Sequence, residues 1–211
     1  MTFSLKEIYF TLQGEGAHTG RAAVFARFAG CNLWSGREED RATAACWFCD
    51  TDFLGVDGPG GGKFSSAEAL AEAVRAAWDA EAAGGTPYVV FTGGEPMLQL
   101  NEELVAACKE EGLEVAIETN GTIEVPDTVD WICVSPKPGG ELVQRSGHEL
   151  KLVYPHEVGP DEVADLPFQH FFLQPLDGAE AAANTAACID YCRRWPQWRL
   201  SLQTHKLVGI P

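Results

Sequence analysis

Three cysteines of this chain have a spacing that suits a metal centre. Cys46 and Cys49 form a Cys-x2-Cys pair, and Cys31 lies upstream, directly after Gly30. Two thiolates separated by two residues can reach one metal centre. A structural zinc site needs a fourth Cys or His, and the nearest candidate, His18, lies 13 residues before Cys31. Three thiolates instead suit a [4Fe–4S] cluster whose fourth iron stays open for a ligand.

The other four cysteines are predicted to be buried thiols. Cys108, Cys188 and Cys192 lie in predicted helices, and Cys133 lies in the apolar run WICV. The first residues lack the basic start and long apolar run of a signal peptide, and no stretch is long and apolar enough to span a bilayer. These features predict a cytoplasmic protein with reduced thiols rather than a disulfide framework.

Composition and charge restrict the classes of partner. The chain has 211 residues, 45% of them hydrophobic, which is enough for one domain with a proper core. Its 31 acidic and 15 basic residues give a net charge of −16. An acidic surface repels phosphate backbones and anionic membranes, so neither nucleic acid nor a membrane is expected as a partner.

Strand and helix patterns alternate along the chain. Apolar runs predict strands, alanine-rich runs with Ser or Gly at their ends predict helices, and the glycine-rich residues 55–64 predict a loop. The predicted strands are 22–30, 87–96, 114–121, 130–136, 149–155, 170–176 and 198–204, and the predicted helices are 65–85, 101–112 and 179–195. This order predicts an α/β fold with a mostly parallel sheet. Because a complete eight-fold barrel typically needs about 250 residues, we expect a partial, open (β/α) barrel.

Polar and glycine-rich clusters follow the predicted strand ends. The segments TGGEP, ETNG, SPKPG and QPL each come directly after or at the end of an apolar strand. In parallel α/β folds, ligands bind at the carboxyl ends of the strands. The site is therefore expected at this edge of the sheet.

The motifs around these positions resemble one enzyme family. FARFAGCNLW, CDT and FTGGEPMLQ resemble the cysteine region and the S-adenosylmethionine (SAM) turn of radical SAM enzymes, although fourteen residues separate Cys31 from Cys46 where the usual spacing is three. A longer cluster loop occurs in the 7-carboxy-7-deazaguanine synthases. The chain resembles this branch from end to end, through YFTLQGEG, ETNGT, SPKPG, LQPL and THKLVGIP.

The resemblance implies both an architecture and a reaction. It implies one radical SAM domain over residues 1–211, with the cluster loop at about residues 31–50. The family converts 6-carboxy-5,6,7,8-tetrahydropterin into 7-carboxy-7-deazaguanine with loss of ammonia, on the route to queuosine and other 7-deazapurines. The reduced cluster and SAM generate a 5′-deoxyadenosyl radical, which takes and later returns a substrate hydrogen atom, so SAM acts as a cofactor.

The same resemblance implies which residues hold the cofactors. Glycines permit close backbone approach, and a carboxylate can accept hydrogen bonds from the SAM ammonium. Mg²⁺ takes few protein oxygens and fills its shell with substrate and water, and one threonine matches the family's Mg²⁺ ligand. The implied SAM residues are Phe48, Cys49, Asp50, Gly93, Gly94, Glu95, Ser135, Lys137 and Gln174, and the implied Mg²⁺ ligand is Thr51.

A pterin substrate presents an edge of donors and acceptors together with one carboxylate. Gln13 and Glu15 are expected to pair with the pterin edge, and Arg27 to bind the carboxylate through its planar fork. Thr92 and Glu118 end successive strands and face the same expected site, while His205 and the Pro211 carboxylate are further candidates. The residues alone assign no acid or base for the loss of ammonia.

Several alternatives remain open at this stage. Another radical SAM enzyme, such as a glycyl-radical activase, has a similar compact barrel, a zinc or electron-transfer protein could use the same thiolates, and an acidic, aromatic-rich binding module would hold no metal. The resemblance implies a homodimer and an electron donor such as flavodoxin or ferredoxin. Within the long loop, residues 37–41 (REEDR) are interpreted as solvated loop, with a reductase contact as the alternative.

Overall fold

Apolar strands alternate with amphipathic helices over residues 1–211, all of which the computed structural model describes. The strands are β1 (Phe3–Leu12), β2 (Ala22–Phe28), β3 (Gly62–Phe64), β4 (Tyr88–Gly93), β5 (Glu114–Thr119), β6 (Trp131–Val134), β7 (Gly147–Tyr154), β8 (Phe168–Pro175) and β9 (Trp198–Leu200). The α-helices are α1 (Ala67–Glu81), α2 (Glu102–Glu110), α3 (Pro160–Val163), α4 (Ala181–Arg194) and α5 (Thr204–Val208). Short 3₁₀ helices cover Gly16–His18, Glu38–Thr43 and Pro96–Leu98.

All nine strands form one sheet in the order β3-β1-β2-β4-β5-β6-β7-β8-β9. Seven strands pair in parallel with their neighbours in the sheet, namely β2, β4, β5, β6, β7, β8 and β9. Strand β1 pairs antiparallel with both β2 and β3. The sheet does not close on itself, because β3 and β9 are its two ends. The predicted α/β fold with a mostly parallel, open sheet is therefore confirmed, and the carboxyl ends of the parallel strands share one edge.

The core lies between the sheet and the helices that cover it. Val89 and Phe91 of β4 are fully buried, as are Leu70 and Val74, which lie on one face of α1. Ser66 begins that helix by accepting a hydrogen bond from the Ala69 backbone N–H, as its position in the sequence predicts. Burial of one such aliphatic side chain contributes about 1.5–3 kcal/mol, so these contacts hold the strand ends in fixed relative positions.

The structure corrects two predicted elements. The predicted loop 55–64 ends in β3, because Phe64 pairs with Phe3 of the distant strand β1. The predicted strand 198–204 ends at Leu200, and α5 begins at Thr204. A third difference is β1, which was not predicted as a strand and which pairs along most of its length with β2. No helix has both the length and the apolar character needed to cross a membrane.

Candidate active site

One cavity of about 420 Å³ opens at the carboxyl ends of the strands. Its lining comes from residues that follow or end successive strands, as the clusters of the sequence predict. They include Cys31 after β2, Gly94 after β4, Asn120 after β5, Ser135 and Lys137 after β6, Leu176 after β8 and Gln203 after β9. Gln13 and Glu15 also line the cavity, but they follow the antiparallel strand β1, whose last residue Leu12 pairs with Ala22 at the amino end of β2. Every residue expected from the sequence to bind a cofactor or the substrate lines this cavity, except Glu95.

The three cysteines of the predicted cluster site share one end of the cavity. The thiol of Cys46 hydrogen-bonds to Cys49, which raises the pKa of Cys46 and lowers that of Cys49. Cys31 Sγ accepts the Leu33 backbone N–H at 3.4 Å. No three His, Cys, Asp or Glu side chains lie close enough together to hold a single metal ion. Three thiols around one cavity fit a polynuclear iron–sulfur cluster, whose thiolates attach to different irons.

The other four cysteines lie away from this end of the cavity. Cys108, Cys133 and Cys188 are buried, and Cys192 is half-buried on α4. Burial raises the pKa of the Cys108 thiol to about 12, which favours the neutral thiol. Their predicted role as small buried residues is confirmed for the three in the core.

The long loop between Cys31 and Cys46 is folded around one arginine. Arg41 lies in the 3₁₀ helix Glu38–Thr43, and its guanidinium carbon stacks 4.2 Å from the centre of the Trp34 ring. Its Nη1 donates hydrogen bonds to the backbone oxygens of Trp47 at 2.6 Å and Cys49 at 2.9 Å. Arg41 therefore ties the insertion to the Cys-x2-Cys turn, and it is only half-exposed, unlike the rest of the REEDR segment.

The TGGEP turn packs tightly against the segment that carries Cys31. A Cβ on Gly94 would lie 2.1 Å from the Gly30 backbone oxygen, and Gly93 has a φ of +136° beside the Phe28 backbone. Both positions therefore require glycine. Glu95 is fully buried, and its carboxylate accepts hydrogen bonds from the Thr119 hydroxyl and from the Met97 and Asn120 backbone N–H groups. Glu95 therefore joins the turn to the end of β5, and its predicted contact with SAM stays a prediction.

Two further polar groups on the cavity wall come from β6 and β8, which are separated by β7 in the sheet. Lys137 Nζ donates a hydrogen bond to Ser135 Oγ, and burial lowers the pKa of that lysine. Gln174, at the end of β8, accepts a hydrogen bond from Ser201 Oγ at 3.0 Å. Phe48, Asp50 and Thr51 continue the same wall of the cavity.

The residues expected to contact a substrate occupy the other end of the cavity. Gln13 Nε2 donates to Glu118 Oε1 at 2.9 Å, and its own Oε1 accepts the Glu15 backbone N–H at 3.1 Å. Arg27 donates to Glu7 Oε1 at 2.7 Å and to Tyr9 Oη at 3.0 Å. Thr92, His205 and Pro211 complete this end, and the Pro211 oxygen accepts a hydrogen bond from Thr11 at 2.9 Å.

Sequence reasoning missed Lys151, which lies on the cavity wall inside β7. Lys151 is 4% exposed and pairs with both Glu15 and Glu118. Burial raises the pKa of Glu15, but the charge of Lys151 and hydrogen bonds from Lys151 and Gln203 outweigh burial and lower that pKa to about 2. The signal was present as a lysine flanked by Leu150 and Leu152 in the predicted strand ELKLVYP.

Comparison with known proteins identifies the family. A model of the radical SAM superfamily matches residues 40–133, a segment that contains two of the cluster cysteines and the TGGEP turn. The 7-carboxy-7-deazaguanine synthase of Bordetella pertussis is 60% identical over 212 residues, and that of Bradyrhizobium diazoefficiens is 60% identical over 211 residues. Both comparisons cover 100% of each chain. The chain belongs to the 7-carboxy-7-deazaguanine synthase family.

A solved structure supports this family at the level of the fold. The crystal structure of QueE from Escherichia coli matches with a TM-score of 0.69 and 28% identity, over 97% of this chain and 95% of that one. The resemblance and the enzyme class predicted from the sequence are therefore confirmed. Membership in the radical SAM superfamily implies a [4Fe–4S] cluster and SAM. The superfamily match decides against the zinc-protein and binding-module alternatives. The full-length identity to 7-carboxy-7-deazaguanine synthases decides against the glycyl-radical activase.

Proposed function

We propose that this chain converts 6-carboxy-5,6,7,8-tetrahydropterin into 7-carboxy-7-deazaguanine with loss of ammonia, in the biosynthesis of queuosine and related 7-deazapurines. The observation that carries the proposal is that one cavity is lined both by the three cysteines and by the polar residues expected at a pterin. Full-length identity of 60% to two 7-carboxy-7-deazaguanine synthases supports the same substrate.

The cysteine end of the cavity is proposed to hold the cofactors. Cys31, Cys46 and Cys49 would hold a [4Fe–4S] cluster and leave one iron open for SAM. When bound there, the cluster and SAM would supply the radical chemistry that the substrate requires. The proposed SAM contacts are the backbone of Gly93 and Gly94, the polar groups of Ser135, Lys137 and Gln174, and the peptide groups of Phe48, Cys49 and Asp50.

The opposite end is proposed to bind and orient the substrate. Glu15 and Glu118 would accept hydrogen bonds from the N–H groups of the pterin edge, and Gln13 links these two acidic residues. Arg27 carries the positive charge suited to the substrate carboxylate, and its hydrogen bonds to Glu7 and Tyr9 fix the guanidinium in place. Buried groups that are already oriented lower the cost of ordering the site when the substrate binds.

The cation, the electron donor and the assembly state complete the proposal. Thr51 lies on the cavity wall and is the proposed protein ligand of Mg²⁺, which would bridge to the substrate as a Lewis acid. Flavodoxin or ferredoxin is the proposed electron donor, and a homodimer and a cytoplasmic location stay predictions from the family resemblance. Activity should fall when Mg²⁺ is removed by chelation and recover when the ion is restored. Light scattering should give the mass of a dimer.

The decisive experiment is an anaerobic assay of the purified protein. After reconstitution with iron and sulfide, the protein receives dithionite, SAM, Mg²⁺ and 6-carboxytetrahydropterin, and the products are followed by mass spectrometry. We expect 7-carboxy-7-deazaguanine without stoichiometric consumption of SAM. Cleavage of SAM to 5′-deoxyadenosine without the deazaguanine would contradict the proposed substrate. If the reconstituted wild type contains far fewer than about four irons and four sulfides per chain, the proposed cofactor is contradicted.

A further inference from the structure

Lys151 is the buried cation at the substrate end of the cavity. Its Nζ pairs with Glu118 Oε2 at 3.0 Å and with Glu15 Oε2, and its side chain is 5% exposed. The two acidic residues come from different parts of the fold, one after β1 and the other inside β5. A single lysine from β7 thus joins two separate walls of the cavity.

The second oxygen of each carboxylate is held by an amide. Gln203 Nε2 donates to Glu15 Oε1 at 3.0 Å, and Gln13 Nε2 donates to Glu118 Oε1 at 2.9 Å. In both carboxylates, therefore, one oxygen contacts Lys151 and the other contacts a glutamine amide. A carboxylate has about four acceptor positions, so both groups keep capacity to accept hydrogen bonds from a ligand.

The turn that carries Glu15 is fixed by the surrounding elements. The Gly16 backbone N–H donates to Ser201 Oγ at 2.9 Å, and the Ala17 N–H donates to Glu149 Oε2 at 3.0 Å. A Cβ on Gly16, which has a φ of +66°, would lie 1.9 Å from Glu149 Oε1. Because the backbone cannot move away easily, the direction of the Glu15 side chain depends on Lys151 and Gln203.

We propose that Lys151 is a positioning residue that keeps Glu15 ionised and orients Glu15 and Glu118 as a pair of acceptors for the donor edge of the substrate. This inference rests on the proposed function, because it assigns the specificity of the same cavity. A 2-amino-4-oxo ring presents adjacent N–H donors, which two ionised carboxylates can accept. A protonated carboxyl would instead present a donor to those N–H groups.

The charges around Lys151 explain why the cation is needed. Besides Glu15 and Glu118, the groups that face it are Glu149 of its own strand and Cys133 of β6, and Lys137 lies farther along the cavity. Burial raises the pKa of Glu149. His205 faces Glu15 from α5. Two buried carboxylates without a cation tend to retain a proton, so loss of Lys151 would favour the protonated form of one of them.

The test compares Lys151→Met with the wild type and with Lys109→Met. Lys109 is a matched control, because it pairs with Asp130 at 2.9 Å on the surface and neither residue lines the cavity. Each reconstituted protein is titrated anaerobically with 6-carboxytetrahydropterin in the presence of SAM and without dithionite, between about pH 5 and 8. Iron content and dithionite-dependent cleavage of SAM report separately on the cofactor end.

We expect Lys151→Met to bind the pterin roughly 100-fold more weakly, as for one partner removed from a buried ion pair, with iron content unchanged. In this variant, affinity should also fall as the pH is lowered through the tested range, because Glu15 loses the cation that holds its pKa low. The wild type and Lys109→Met should show no such acid loss. The double variant Lys151→Met/Glu118→Gln removes the uncompensated charge and should lose less affinity toward low pH than Lys151→Met.

Two outcomes would overturn the inference. One is binding by Lys151→Met within about threefold of the wild type, with the same pH dependence. The other concerns Lys151→Arg, which keeps the charge, changes the geometry and serves if Lys151→Met does not fold. Lys151→Arg should bind the pterin weakly, with an affinity that does not fall toward low pH. A fall in its affinity toward low pH would overturn the inference. Failure of the proposed function is distinct, since a wild type that binds the pterin but forms no deazaguanine contradicts only that function.

Discussion

At the scale of single residues, Glu95 shows how a buried carboxylate joins the turn after β4 to the neighbouring strand. It is fully buried, and it accepts hydrogen bonds from Thr119 Oγ1 at 2.7 Å, the Asn120 N–H at 2.8 Å and the Met97 N–H at 2.9 Å. Burial raises the pKa of Glu95, whereas these three donors favour its ionised form. The turn after β4 and the end of β5 are joined by this one side chain.

Glu95→Gln should therefore destabilise the protein even without cofactors. An amide group in place of one carboxylate oxygen leaves a buried backbone donor without an acceptor, which costs about 1–3 kcal/mol. Urea unfolding of the apo-protein measures the loss, with the exposed Glu124→Gln as the control. An unchanged free energy of unfolding, combined with weaker binding of SAM, would show that Glu95 acts as a SAM ligand instead.

A second prediction at this scale concerns the close approach at Gly94. A Cβ there would lie 2.1 Å from the Gly30 oxygen and 2.7 Å from Cys31 Cβ, so Gly94→Ala must displace the backbone next to a cluster cysteine. We expect a destabilisation of about 1–3 kcal/mol and a lower iron content after reconstitution. Gly84→Ala is the control, because no atom lies within 4 Å of a Cβ at that position. Equal iron content in the two variants would contradict the steric argument.

At the scale of elements, the insertion between Cys31 and Cys46 acts as a brace on the cluster turn. The interpretation of REEDR as solvated loop holds for its exposed residues, but Arg41 turns inward onto the Trp34 ring. Its hydrogen bonds to the Trp47 and Cys49 oxygens fix the backbone that carries two of the cluster thiols. The extra length thus supplies a contact that a three-residue spacing could not contain.

Arg41→Ala should weaken retention of the cluster more than overall stability. Residues that orient the ligands of a metal centre typically contribute 10–100-fold to metal affinity, so we expect iron loss to a chelator to be roughly tenfold faster. Absorbance of the reconstituted protein follows this loss. Arg37→Ala is the control, since that side chain is 68% exposed and its ion pair with Glu39 spans 3.6 Å. The same rate of iron loss in both variants would contradict a bracing role.

At the scale of the whole molecule, contacts between distant strands enclose the cavity of an open sheet. The segments after β1 and β9 meet where the Thr204 N–H donates to the Gly14 oxygen at 2.9 Å. Lys206 of α5 pairs with Asp50 at 2.7 Å and with Asp177 at 2.6 Å. These contacts join strands near opposite ends of the sheet, so a partial barrel can surround a small molecule.

The net charge of −16 leads to a prediction for the molecule as a whole. Self-repulsion of an acidic chain destabilises the compact state, and salt screens it. The thermal midpoint of the apo-protein should therefore rise between about 10 and about 200 mM KCl at pH 7.5, over which the Debye length falls from about 30 Å to below 10 Å. The triple variant Glu72→Lys/Glu81→Lys/Glu110→Lys, at exposed helix positions, changes the charge by +6, from −16 to −10, and should show a smaller rise. An equal rise would contradict the repulsion argument.

The sequence by itself determined the parallel strands, the three longest helices and the edge of the sheet where these strands end, and it predicted the cluster cysteines. These features follow from local patterns, since apolar strands linked by helices pair in parallel and bring their carboxyl ends together. For this reason Thr92, Ser135 and Lys137 could be placed on one cavity before the structure was known. Gln13 follows the antiparallel strand β1, so only the family resemblance pointed to it. Their individual roles toward SAM and the substrate stay predictions.

Only the tertiary structure decided the hydrogen bonds of Glu95 to Met97, Thr119 and Asn120 and the two ion pairs of Lys151. The partners of Lys151 lie 136 and 33 residues away along the chain, and β3 is a strand only because β1 lies beside it. No local pattern encodes such contacts. A buried charge is stable only when the fold brings it an opposite charge, and that partner is set by the packing of whole strands.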